Sequence, residues 1–351
     1  MLKTTVKKLP NSEVEIEGEL HEDAFETYFS VALKKLSAHI ELNGFRKGKV
    51  PESVLLTQIT EPQILGEMAE LALSEHYPKI LEAEKIDAIS RPEITITKLA
   101  RKNPLGFKIK TAIIPEVKLP KYKDLAKDVM SSLTAEEKNL VITDEDVENT
   151  IMDIRKSRAP KKHVQEGVVA EEAKENEESL PEFNDEFVQA LGPFTDLADF
   201  RSKLKENIKI EKNNQQKEKT RLKIMERIIE KAEIEVPAVL IDMELDKILY
   251  RMESDITTMG LKFDDYLKHL NKTIEDLKQE FRTDAEKKAK LALILNEISK
   301  KENIVADEAQ VAAEVSNIIE RYKDADPERA RIHAENVLIN EKIFQFLETQ
   351  K

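Results

Sequence analysis

Residues 211–221 read E-K-N-N-Q-Q-K-E-K-T-R, a run without one apolar side chain, set inside a longer stretch, 196–232, with helical character. A helix that is polar all round is usually an arm crossing solvent, because it has no face to bury. This segment is therefore expected outside any core.

The rest of the C-terminal half agrees. From 183 onward helical segments are predicted at 196–232, 237–259, 263–270, 273–301, 307–322 and 327–348, with starts at Thr195, Thr273, Asp307 and the Asp326-Pro327 pair. Charged residues make up 36% of the chain and there are only eight glycines in 351 residues. Against the usual ~25% charge and ~7% glycine, both values indicate long solvated helices.

The N-terminal part has another texture. Residues 2–9 and 13–20 read as strands, the second alternating Val14, Ile16, Gly18 and Leu20 with glutamates. A helix is predicted at 22–42, a short one after Pro51, and another at 62–84 with Ile64, Met68, Leu71 and Leu81 at helical spacing. Strands at 93–99 and 106–117 complete an α+β domain. Thr143 with Asp146 three positions on forms a capping-box pattern opening a helix to about 158. Residues 161–180 are acidic, polar and without period, the pattern of a linker.

Between the predicted helices lies N-G-F-R-K-G-K-V-P at 43–51. Gly44 and Gly48 tolerate positive φ, so the chain can reverse there and push Phe45, Arg46 and Lys47 outward. A Phe left in water forgoes roughly 1.5–3 kcal/mol of burial, which favours a partner surface for such a tip. Arg and Lys suit phosphate or carboxylate partners. The same residues also fit a plain helix connection with Phe45 turned inward and the cations solvated.

Several function classes are excluded. Residues 1–125 hold 19 Lys+Arg and 19 Asp+Glu, so the net charge of −13 lies in 126–351. A general DNA or RNA binder shows the opposite balance, and any RNA contact must be local. There is no cysteine, hence no thiol catalysis, disulfide or thiolate metal site. The six histidines are scattered without an H-E-x-x-H pair, so no metal site is expected. Gly44, Gly48 and Lys49 give G-x-x-x-G-K rather than a phosphate loop, and Val50 stands where a Mg²⁺-binding Ser or Thr would be. Neither a nucleotide nor any other cofactor is expected. The first residues lack an apolar signal region and no apolar run approaches ~18 residues, so the expectation is a cytoplasmic protein without a membrane partner.

G-F-R-K-G-K-V-P at 44–51 resembles the ribosome-docking signature of the bacterial trigger factor family. Further blocks resemble the family in order: E-K-I-D at 84–87, R-P-E-I at 91–94, F-K-I-K at 107–110, P-E-V-K-L at 115–119, V-I-T-D-E-D-V at 141–147, L-P-E-F-N-D-E-F at 180–187 and I-E-V-P-A-V-L-I-D at 234–242. The resemblance implies an α+β ribosome-binding domain at 1–125, a connecting helix and acidic linker at 126–182, and a mostly α-helical chaperone domain with extended arms at 183–351. It implies an ATP-independent chaperone that shields nascent and unfolded polypeptides and assists their folding. Its partner would be the ribosome at the polypeptide exit tunnel, both ribosomal protein and rRNA, met by Gly44, Phe45, Arg46, Lys47, Gly48 and Lys49.

In one respect the chain departs from the family. Trigger factors generally carry an inserted prolyl-isomerase domain with an aromatic-lined pocket. Here only the 161–180 linker stands in its place, and no aromatic falls between Tyr122 and Phe183. Isomerase activity is the alternative function that the family label offers, and the sequence argues against it: no catalytic residue is assigned. For client contact, four of the eight methionines, Met225, Met243, Met252 and Met259, fall within 35 residues. Methionine repacks at little cost and suits an adaptable surface. Each of the four also fits a helix core stripe with Leu245, Ile248 and Leu249.

Overall fold

The computed structural model describes residues 2–38, 52–138, 140–159 and 180–350. The 43–51 tip and the linker before Leu180 lie outside the described residues. The chain forms two compact units, Met1–Pro120 with Lys231–Asn303, and Lys121–Glu230 with Ile304–Lys351.

In the first unit β1 (Leu2–Leu9), β2 (Glu13–Leu20), β3 (Glu93–Lys98) and β4 (Leu105–Ala112) make an antiparallel sheet in the order β1-β2-β4-β3. Charge sets this order as much as burial does. The outer face of β2 is acidic, and it lies between lysine-bearing strands: Lys3 opposes Glu19, Lys7 opposes Glu15, and Glu15 and Glu17 oppose Lys110 and Lys108. Opposite charges facing across strands favour this pairing and penalise a slipped one. The inner face carries rows such as Val6–Ile16–Ile109–Ile94. Gly18 is required on that face, because a Cβ there would stand 2.5 Å from Phe107 Cζ.

Helices α1 (Glu22–Glu26), α2 (Tyr28–Ser37), α3 (Glu52–Gln58) and α4 (Glu61–Glu84) cover the inner face, and Phe25, Leu33, Leu55, Ile64, Met68 and Ala72 join Ile16, Phe107 and Ile109 in one core. The helix predicted at 22–42 is broken at Thr27, whose hydroxyl donates to Ala24 O at 2.6 Å. A side chain that takes a helix carbonyl competes with the ladder. The last strand ends at Ala112 rather than 117: Ile113 turns its N–H to Ser12 O, and Pro115 has none to give.

Residues Lys231–Asn303 complete this unit. The chain enters through an antiparallel bridge of Glu233 with Lys118, and Glu235 accepts from Asn11 N–H at 3.0 Å while its carbonyl accepts from Ser12 Oγ at 2.8 Å. Then α10 (Ala238–Thr258), α11 (Phe263–Leu270) and α12 (Ile274–Glu302) pack through Ile241, Leu245, Leu249, Leu267, Leu277 and Ala285. Thr273 caps α12 with Asp276 as the reciprocal partner, as its sequence predicts.

The second unit contains α5 (Tyr122–Ser132), α6 (Ala135–Lys138), α7 (Asp144–Arg158), α8 (Asp185–Leu191), α9 (Leu197–Lys231), α13 (Glu308–Arg321) and α14 (Pro327–Glu348). Thr143 and Asp146 form the predicted capping box of α7. At α9 the cap is Asp196, which accepts from Asp199 N–H at 2.8 Å, rather than Thr195. Phe183 of the 180–187 block packs edge-to-face on both Phe187 and Phe200, so that block builds core. The polar run 211–221 departs most from expectation. Lys212 pairs with Asp146 at 2.6 Å, Thr220 is buried, and Arg221 binds carboxylates of α14. One face of this helix is packed, with polar partners doing what apolar ones do elsewhere.

Candidate functional site

The chain leaves the described core at Ala38 after α2 and returns at Glu52 in α3. These helices pack on one another, and α2 packs on α4. Leu33 and Leu55 are buried, and Lys35 in the last turn of α2 reaches Glu67 at 2.5 Å and Glu70 at 3.6 Å. The Glu67 hydrogen bond raises the Lys35 pKa above its ordinary value. Gly44, Phe45, Arg46, Lys47, Gly48 and Lys49 lie outside the described residues, between two anchored helices.

The four methionines separate. Met225 is 3% exposed and sits in the second unit beside buried Ile224 and Ile228 on α9, so it offers no surface to a client. Met243 and Met259 are 49% and 77% exposed on the first unit. Met252 packs partly against the Leu249–Leu267–Leu277 cluster. Met252 and Met259 line a groove of about 470 Å³ along α10, with Ile248, Ile256 and Tyr266. Its rim is charged with Glu244, Lys247, Arg251 and Asp255. Of the four methionines singled out in the sequence, Met252 and Met259 line this groove, Met243 does not, and Met225 lies in the other unit.

No arrangement among the described residues has the form of a catalytic centre. Groups of His, Asp and Glu that could hold a metal ion are absent among them. Tyr28 donates to Glu75 Oε2 at 2.8 Å and lies 3.3 Å from His76 Nε2; burial, then Glu75, pushes its pKa up to about 12, and burial lowers that of His76. This cluster ties α2 to α4. No helix is long and apolar enough to cross a membrane among the described residues.

Comparison with known proteins agrees with the motif reading. Residues 2–154 match the family model described as bacterial trigger factor protein, and residues 196–345 match the model of the trigger factor C-terminus. Trigger factor of Carboxydothermus hydrogenoformans is 26% identical over 428 aligned positions, spanning 99% of this chain and 98% of the relative. Those of Natranaerobius thermophilus and Bacillus subtilis are each 25% identical, over 93% and 87% of this chain and 88% of either relative. The 428 aligned positions exceed the 351 residues of this chain, so the Carboxydothermus relative holds residues without a counterpart here. A solved structure described as "Promiscuous Substrate Recognition in Folding and Assembly Activities of the Trigger Factor Chaperone" shares the fold at a TM-score of 0.55 and 18% identity, over 99% of this chain and all of that one. An isomerase domain is evident neither in the two matches nor in the stretch between them. Matched over residues 2–154 and 196–345, with its small antiparallel sheet followed by a long helical part, this chain belongs to the bacterial trigger factor family.

Proposed function

We infer that the protein is a ribosome-associated chaperone that shields nascent polypeptides and assists their folding without ATP. The observation that carries this is the match of both ends of the chain to the trigger factor models. The Phe45-Arg46-Lys47 tip, framed by Gly44 and Gly48 and followed by Lys49, docks on ribosomal protein and rRNA at the exit tunnel. Clients rest on dispersed apolar surface that includes Met243, Met252 and Met259. Each such side chain contributes on the order of 1 kcal/mol, so affinity is a sum of weak contacts. The protein works in the cytoplasm and is not an enzyme.

Co-sedimentation with ribosomes tests the docking. Replacing Phe45, Arg46 and Lys47 together by Ala should abolish it while the thermal midpoint stays unchanged, and wild-type binding should weaken as salt rises. Binding that survives the triple substitution overturns the assignment of the tip.

A further inference from the structure

Burial fades along one row of the sheet. Ile16 and Ile109 are fully closed, yet Ile94, which pairs with Ile109 on the same face, is 44% exposed. Strand β3 is the edge of the sheet, with β4 as its one strand neighbour among the described residues. Facing Ile94 and Ile96 is a stripe of α4 made by Gly66, Ala69, Leu73 and Tyr77, and an open groove of about 400 Å³ lies between them.

Two details distinguish this groove. A Cβ at Gly66 would meet nothing within 4 Å, and its backbone is ordinary helix, so alanine would fit and would favour the helix. No contact among the described residues requires the glycine, and the open space beside it widens the groove. Tyr77 Oη, in the groove wall, is buried and without a hydrogen-bond partner among the described residues.

We propose that the groove between α4 and β3 receives an extended segment of unfolded polypeptide, added to the sheet as a strand beside β3. The free edge selects this occupant. Outward N–H and C=O groups of an edge strand are satisfied by another extended backbone, whereas a helix or a small apolar molecule leaves them unpaired. Alternate side chains of the guest enter the groove and must be apolar to match Ile94, Ile96 and Leu73. This deepens the chaperone reading and rests on it: the N-terminal unit would hold clients by main-chain pairing, in a manner independent of the α10 surface.

The test uses the full-length protein and a fluorescent ten-residue peptide of alternating Val and Thr with two lysines. Two further versions carry N-methyl groups on one or the other alternate set of amides. Fluorescence anisotropy should show at least tenfold weaker binding for one set and little change for the other, since only one edge of a bound strand faces β3. Gly66→Leu should weaken the parent peptide at least tenfold with an unchanged or raised thermal midpoint. Equal binding of all three peptides, or unchanged binding by folded Gly66→Leu, overturns the proposal. If Gly66→Leu fails to fold, the N-methyl comparison on the wild-type chain decides alone. A wild-type dimer that Gly66→Leu dissociates and the peptide does not would assign the groove to a second copy, again overturning it. Suppression of aggregation by wild type without strand-specific peptide binding sinks only the groove; absence of both sinks the chaperone reading as well.

Discussion

Arg221 on α9 holds Glu341 on α14 with both arms of its guanidinium, Nη1 to Oε2 at 2.7 Å and Nη2 to Oε1 at 2.8 Å, while its Nε donates to Glu348 Oε1 at 2.6 Å. The ring of Phe344 lies 5.1 Å from the same guanidinium. With Arg221 only 19% exposed, removing it strands two carboxylates in a half-closed site. Arg221→Met should therefore lower stability by about 1–3 kcal/mol, read by chemical denaturation. The guanidinium holds the Glu341 carboxyl below its ordinary 4.5, so the contribution is present above that pH and is lost as pH falls below it. The acid limb of the stability profile should be shallower in Arg221→Met than in wild type.

The capping box of α7 gives a second acid-sensitive joint. Lys212 first, and Thr143 next, hold the Asp146 carboxyl down to about 2 from 3.8. Its stabilising effect is complete above pH 3.8 and disappears as pH falls towards 2. Thr143→Ala should cost about 1 kcal/mol at neutral pH. An unchanged denaturation midpoint would mean that α7 does not depend on its cap.

Two glycines should respond with opposite sign to alanine. Gly18→Ala places a Cβ against the Phe107 ring and should destabilise by about 1–3 kcal/mol, with partial rescue by Phe107→Leu. Gly66→Ala, in open space, should stabilise by about 0.5–1 kcal/mol. Paired thermal melts check both.

The methionines should divide by burial. Met225→Ala should cost about 2–5 kcal/mol, whereas Met259→Ala should stay within about 0.5 kcal/mol. Replacing Met243, Met252 and Met259 together by Gln should reduce aggregation suppression per folded molecule. Activity unchanged in that triple variant would remove the α10 groove from client contact.

A proline-containing peptide assay should show no isomerisation above background. A rate that rises in proportion to protein and persists through repurification would reinstate the enzymatic alternative.

Local chemistry explains which parts of this molecule were legible in its residues. Period-two alternation placed β2 at its observed bounds, because in a one-sided sheet burial and sequence share one period. Thr143, Thr273, Asp307 and Asp326 cap the helices they precede, since a cap depends on three neighbouring residues only. The family resemblance rests on the tip motif and on short blocks, of which Phe183 and Phe187 build core.

Interactions between distant segments were decided by tertiary structure alone. Nothing local to α10–α12 says that they cluster with the sheet rather than with the helices around them in sequence; the Glu235 contacts to Asn11 and Ser12 do that, from more than two hundred residues away. The run 211–221 looked solvated because a polar stripe has no period in hydropathy. Its partners Asp146, Glu341 and Glu348 are charges, and charge pairing across the fold leaves no trace in either segment until the two are brought together. The half-open row at Ile94 is likewise a property of where α4 stops covering the sheet, which a strand's own alternation cannot reveal.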